Sequence, residues 1–307
     1  MKVLITGPDG QIGWELLRAL PPDLHTVPLS IAELDLTNPP AIRDQLRQHK
    51  PNLIINAAGY TAVDRAEVEP GLTHAVNATA VGILGEEAKR LGAAVVHLST
   101  DYIFDGSKRT PYTSDDLPNP LSVYGQSKLD GEIALVSSGA SHLIIRTSWV
   151  YGLRGRNFLL AMLQQAAVKP ELRVVNDQTG CPTSAPAIAH ATTKLIFRTL
   201  HDGPSGCSFG NHGGIYHLAC GGFTTWYDFA RRIFELADIA SPPLLRAITS
   251  AEYGAPAKRP QYSVLDCAKA RERFNVVMPH WEIALQELLS AEKPIPARAA
   301  APSGESR

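Results

Sequence analysis

Apolar residues in the first half of this chain fall into short unbroken runs, separated by longer stretches in which apolar and polar positions mix. Val3-Leu4-Ile5, Leu53-Ile54-Ile55, Ala93 to Leu98 and Leu143-Ile144-Ile145 are runs of strand length. Between them, Trp14 to Leu20, Ala41 to Lys50, Gly71 to Leu91 and Leu121 to Val136 read as helices. Pro21-Pro22 stops the first of these, while Asn119 and Pro120 suit the cap and first position of the last. Strands alternating with helices predict an α/β fold built on a doubly wound parallel sheet.

A second strand is expected at His25 to Leu29, followed by a short strand end at Leu34 to Asn38. Beyond Gly152 the alternation loosens. Helices are expected at Asn157 to Val168, Ala185 to Leu200, Trp226 to Ala237 and His280 to Leu289, with strands at Leu172 to Val175 and Ile215 to Leu218. The helix from Ala185 is expected to pack back on the first lobe, and 203–214 reads as a Gly- and Ser-rich loop. The Ala-, Pro- and Ser-rich stretch 293–307 reads as a disordered tail.

The first strand runs into Gly7-Pro8-Asp9-Gly10-Gln11-Ile12-Gly13 and then a helix, the context that a dinucleotide-binding turn requires. Gly7, Gly10 and Gly13 permit a tight turn and let the backbone approach a pyrophosphate at the helix N-terminus. At the end of the second strand stands Ser30, which neither binds a ribose 2′-hydroxyl strongly nor repels a 2′-phosphate, so the coenzyme choice leans to NADP(H) with NAD(H) open. Asp35 is placed to reach an adenine amino group or, with Thr37, to cap the helix at Ala41. Ala57, Ala58 and Gly59 leave room for a coenzyme across the third strand's end. Asn77 reads as an ordinary mid-helix amide. The partition that follows is a dinucleotide-binding part from 1–150 plus about 183–220, and a smaller C-terminal substrate lobe from about 151–182 and 221–292.

Ser99, Thr100 and Asp101 follow the run ending at Leu98, just past a strand's carboxyl end, where ligands sit in open α/β sheets. Tyr124 and Lys128 are four apart on the next helix and share one face. An ammonium one turn from a phenol favours the phenolate and brings an ordinary value of about 10 toward neutrality. Thr100 then holds a carbonyl oxygen, Tyr124 gives it a proton, and a nicotinamide must bring the hydride. His97 reads as a satisfied core histidine and Trp149 as a pocket residue. Asp177 and Gln178 divide between loop capping and substrate contact, and Arg259 has the fork suited to a phosphate.

Composition sets the bounds. A net charge of −1 over 307 residues gives no support for a nucleic acid or an anionic membrane as main partner. Cys181, Cys207, Cys220 and Cys267 are widely spaced, which indicates neither a zinc site nor a disulfide framework. No apolar run approaches membrane-spanning length. With no signal peptide evident before the first strand, a cytoplasmic enzyme with reduced thiols is expected.

Taken together, the glycine turn, Asn56-Ala57-Ala58, Thr61-Ala62-Val63-Asp64, Ser99-Thr100-Asp101-Tyr102, Tyr124 with Lys128, Arg146-Thr147-Ser148-Trp149, Asn176-Asp177-Gln178 and Arg259-Pro260 resemble the extended short-chain dehydrogenase/reductase family across residues 1 to 290. The resemblance implies a Rossmann fold and a catalytic set of Thr100, Tyr124 and Lys128. It implies that Gly10, Gln11, Ile12, Ser30, Asp35, Leu36, Gly59, Tyr60 and Thr61 line NADP(H) or NAD(H), and that Asp101 and Trp149 contact a sugar. The reaction implied is reduction of the C4 keto group of dTDP-4-dehydro-L-rhamnose to dTDP-L-rhamnose. Some members carry Mg²⁺ at a dimer interface, for which Glu15 is suited. No metal is therefore expected at the catalytic centre, and a homodimer stays open. Two other readings are an epimerase or dehydratase on the same fold, and a non-catalytic NADP-binding regulatory subunit. Tyr102 stands where a dehydratase is expected to need a glutamate.

Overall fold

The computed structural model describes residues 1–203 and 206–291. Six parallel strands form its central sheet: β1 (Lys2–Thr6), β2 (His25–Leu29), β3 (Leu53–Asn56), β4 (Ala94–Thr100), β5 (Ser141–Thr147) and β6 (Gly214–His217). Their spatial order is β6-β5-β4-β3-β1-β2. The order reverses at β1, so a crevice opens beyond the carboxyl ends of β1 and β3. β3 and β4 are buried along their whole length, which is why they read as continuous apolar runs rather than alternating ones.

Helices cover both faces. On one lie α1 (Gln11–Ala19) and, from later in the chain, Ala185–Thr199; Leu16, Ala189, Leu195 and Ile196 share a core with Val3, Ile5 and Val96. On the other lie α2 (Pro39–His49), α3 (Ala80–Leu91) and α4 (Val123–Ser137), whose Ile42, Leu84 and Leu135 pack on Leu4, Ile54 and Val95. A separate apolar core gathers Tyr151, Leu159, Leu172, Phe229, Trp281 and Leu285. It is built on α5 (Phe158–Ala166), α6 (Ala185–Thr199), α7 (Trp226–Leu236) and α8 (Trp281–Ala291), with Ala187 of α6 at its edge. Glu171–Val175 pairs in parallel with Leu244–Ile248 beside this core. Among the described residues no helix is long and apolar enough to cross a membrane.

Several local expectations change. Residues 34–38 form turns, not a strand end: Asp35 accepts from Thr37 N at 2.8 Å and Thr37 Oγ1 at 2.7 Å, closing the chain on itself. The cap of α2 is Asn38, whose Oδ1 accepts from Ala41 N at 3.2 Å ahead of Pro39-Pro40. Helix α4 starts at Ser122, whose Oγ accepts from Gly125 N at 3.1 Å. Asn119 is drawn away because its amide donates to Asp105 Oδ2 at 3.0 Å. The helix expected from Gly71 is interrupted by a π-wound turn at Ala75–Thr79. The stretch 203–214 contains a short strand, Gly206–Ser208, paired with His201–Gly203. The tail expected at 293–307 lies outside the described residues.

Candidate active site

Three structural features meet beyond β3 and β4. The first is the end of β4, where Thr100 caps a single 3₁₀ turn (Asp101–Ile103) by accepting from Tyr102 N at 3.2 Å. The second is the first two turns of α4, carrying Tyr124 and Lys128. The third is the loop Ala57–Thr61 after β3. Helix α4 comes unusually close to the π-wound turn, since a Cβ at Gly131 would overlap the Asn77 carbonyl oxygen. Only a glycine allows backbone to approach backbone this closely.

Lys128 is buried and its Nζ donates to Leu98 O at 2.6 Å. His97 Nε2 stands 3.4 Å from the same nitrogen. A Cβ at Gly59 would come within 3.9 Å of Nζ, so the ammonium looks out past the bare backbone of the β3 loop. Burial pushes Lys128 down to about 8, partly offset by the Glu132 carboxylate one turn on.

The lowering of Tyr124 that its spacing from Lys128 predicts is not found within the protein itself. Burial pushes the phenol up to about 12, with the aligned Thr100 hydroxyl pulling the other way and Asp101 adding to the rise. The ammonium is turned toward Leu98 O and has no resolved effect on the phenol. Tyr124 is therefore a protonated donor at neutrality. Its ring meets Tyr102 edge-on at 5.9 Å.

Asp101 faces inward. Ser148 Oγ donates to its Oδ2 at 2.9 Å, Thr100 Oγ1 lies 3.2 Å from Oδ1, and Ser263 bonds it as well. Burial, stronger than these hydroxyls, raises it to about 6. Asp101 thus links Thr100 to Ser148, the residue that follows β5. Trp149 has the left-handed backbone (φ 45°) that a bulky residue rarely adopts. Its ring stacks on Trp226 at 3.5 Å, and Trp226 Nε1 donates to Gln178 Oε1 at 3.1 Å. Asp177 accepts from Ser250 N at 2.9 Å, and Gln178 Nε2 donates to Ser250 Oγ at 2.8 Å. Arg259 is held by Asp64, Nη2 to Oδ2 at 2.9 Å, which ties the later loop to the short helix Val63–Ala66 that follows the β3 loop.

The dinucleotide end fits its expected occupant on structural grounds. A Cβ at Gly13 would strike the Gly7 carbonyl, and Gly7 has φ +67°, so this turn admits only bare backbone. Gly10 caps α1 with no side chain, leaving the first N–H groups of Gln11 and Ile12 open to an anion. Gly59 is exposed, and Ala58 N donates to Thr6 Oγ1 at 3.3 Å. Asp35 and Thr61 are exposed, while Leu36 belongs to the core of the α2 face. Ser30 is engaged by an acid that the sequence reading passed over: Glu33 Oε2 accepts from Ser30 N at 2.7 Å and from Ser30 Oγ at 2.8 Å. Tyr60 bonds Glu69 through its hydroxyl and the Asn77 amide through its backbone. Among the described residues no group of three or more His, Cys, Asp or Glu could hold a metal ion; Glu15 lies beside Arg18 at 3.9 Å.

Asn77 is the residue that helical periodicity hid. It is buried, its Oδ1 accepts from Tyr60 N at 2.8 Å, and its Nδ2 donates to Tyr60 O at 3.0 Å and Ser127 Oγ at 3.0 Å. The wider winding of the π turn sets it facing both loop and helix, an irregularity common at functional sites.

Comparison with known proteins places nearly the whole chain among described relatives. A profile described as the RmlD substrate binding domain matches residues 1–293. The chain is 41% identical over 298 residues to the dTDP-4-dehydrorhamnose reductase of Escherichia coli K12, covering 94% of this chain and 97% of that protein. It is 41% identical over 293 residues to the enzyme of the same name from Sinorhizobium fredii, covering 95% and 97%. Among solved structures, dTDP-4-dehydrorhamnose reductase from Bacillus anthracis in complex with NADP superimposes with a TM-score of 0.87 at 32% identity, covering 95% of this chain and 99% of that one.

Proposed function

This chain belongs to the RmlD substrate binding domain family, and on that premise we propose that it reduces the C4 keto group of dTDP-4-dehydro-L-rhamnose to give dTDP-L-rhamnose. A bound NADPH or NADH supplies the hydride. The remaining chemistry falls to the chain's own residues. Thr100 Oγ1, fixed by Asp101 and the 3₁₀ turn, is the hydroxyl that orients the substrate carbonyl. Tyr124, protonated at neutral pH, gives its proton to the alkoxide as it forms. Lys128, held at Leu98 O with Gly59 beside its Nζ, would bind the nicotinamide ribose there. Trp149 walls the sugar subsite from its stack on Trp226.

The observation that carries this reading is the convergence of Thr100 on the Tyr124 phenol with buried Lys128 one turn away. A binding-only subunit has no use for that convergence. Coenzyme choice is subject to two opposed pulls. Ser30 tolerates a 2′-phosphate, whereas the Glu33 carboxylate bound to it repels one. No step is assigned to Mg²⁺. A cytoplasmic location and a homodimer go with the reading, and light scattering on the purified protein reads the second.

The test supplies dTDP-4-keto-6-deoxyglucose and the partner epimerase, and follows NADPH and NADH oxidation in parallel. Stoichiometric oxidation with formation of a dTDP-6-deoxyhexose supports the reading. Sugar turnover by this chain with the partner epimerase omitted, and without net coenzyme oxidation, would replace it with an epimerase; no coenzyme oxidation with the partner and no turnover without it would leave the binding subunit.

A further inference from the structure

His97 lies in the middle of β4 with none of its surface open, yet it is not filler. Its two ring nitrogens meet two polar partners: Nδ1 is 3.0 Å from Asn56 Nδ2, and Nε2 is 3.4 Å from Lys128 Nζ. Asn56 Oδ1 in turn accepts from Thr6 Oγ1 at 2.6 Å, and Thr6 Oγ1 accepts from Ala58 N at 3.3 Å. A closed row of polar groups thus runs from the coenzyme-binding loop to the lysine, across three neighbouring strands. Burial and the lysine charge both push His97 well below its ordinary range, so the ring is neutral and carries one N–H.

A neutral ring between an amide and an amine has two self-consistent orders. With Asn56 Nδ2 donating to Nδ1, the ring proton sits on Nε2 and points at Lys128, which suits an uncharged amine. With the amide turned over, Nδ1–H donates to its oxygen, Nε2 accepts from an ammonium, and Thr6 Oγ1 accepts from Asn56 Nδ2 instead of donating to Asn56. We propose that His97 is a positioning residue for the reduction: oriented by Asn56, its ring serves Lys128 as acceptor in the charged state and as donor in the uncharged one. The proposal rests on the reductase reading above. The other titratable groups near Lys128 are Tyr124 and Glu132, one turn either side on α4, with Asp101 beyond Tyr124 and the Arg146 guanidinium of β5 paired to Glu132; β3 and its loop present Asn56 and Gly59 and the π turn Asn77, none of which titrates.

The test reads Lys128 directly, by the ¹³C shift of its Cε during a pH titration of lysine-labelled protein, beside the pH profile of kcat. Losing the acceptor in His97→Leu costs the ammonium a charge-assisted hydrogen bond, so its titration and the alkaline limb of kcat should both move down by about one pH unit or more. Asn56→Asp fixes an acceptor on Nδ1 and adds a negative charge, so both should move up. His97→Gln, which restores an acceptor, should recover part of the change. Folded variants whose Lys128 titrates as in the wild type would overturn the proposal, and so would a kcat limb that moves while the lysine signal does not. If His97→Leu does not fold, the Asn56→Asp direction decides alone. The lysine signal titrates whether or not the dTDP-sugar is the substrate, which separates failure here from failure of the reductase reading.

Discussion

Asn77 Nδ2 donates to Ser127 Oγ at 3.0 Å, and this bond joins the π-wound turn to the helix next to Lys128. The same amide grips both polar backbone atoms of Tyr60. One side chain therefore holds the coenzyme loop and the catalytic helix in register. Asn77→Ala leaves buried groups unpaired at about 1–3 kcal/mol each. Thermal unfolding should show a loss of several degrees, and the coenzyme KM should rise more than the sugar KM. An unchanged melting temperature would show that water replaces the amide without cost.

Tyr124→Phe removes the donor and keeps the ring that meets Tyr102. Turnover should fall about 10² or more, the range for losing a general acid. Coenzyme binding, read by fluorescence titration, should persist. Near-normal turnover would take Tyr124 out of the mechanism.

Trp226→Leu strips the stacked partner from Trp149. Aromatic pairs contribute about 0.5–1.5 kcal/mol beyond their burial, so the sugar KM should rise up to about tenfold with the coenzyme KM unchanged. Equal changes in both constants would mean that the stack supports the fold and not the sugar subsite.

Glu87 lies buried among Arg47, Arg90 and Arg43, and their guanidinium groups, Arg47 foremost, hold its carboxyl down to about 2 from an ordinary 4.5. Its folded value is below its unfolded one, so the stabilisation is complete above about pH 4.5 and fades as pH falls toward 2. Urea midpoints of wild type and Glu87→Gln should differ most above pH 4.5 and converge toward pH 2. A gap that stays constant down the acid range would assign the effect to packing.

The strands were readable because burial on both faces forces apolar runs, and Leu53 to Ile55 and Val95 to Leu98 leave no competing period. The glycine turn and the Tyr124/Lys128 spacing were readable because each is local. What escaped was set by partners far along the chain. Asn77 looks like any helical amide until Tyr60 and Ser127 are folded against it. The hydroxyls of Ser148 and Ser263 that bond Asp101 come from positions 47 and 162 residues further on, and no local pattern announces them. The cap of α4 moved to Ser122 because Asp105 claims the Asn119 amide. The effect of Lys128 on Tyr124 depends on where the ammonium points, and Leu98 O, thirty residues back, decides that.

The backbone-to-backbone fit of Gly131 against Asn77 bears on how this architecture can diversify. On the proposed reading, a helix wedged that tightly resists tilting toward a different sugar, so Tyr124 and Lys128 would stay put whatever ketone arrives. On the same reading, novelty in selectivity would come from the side where Trp149, Trp226 and Gln178 converge from separate parts of the chain. Mutagenesis libraries aimed at altered sugars would be well spent on that side and wasted on α4.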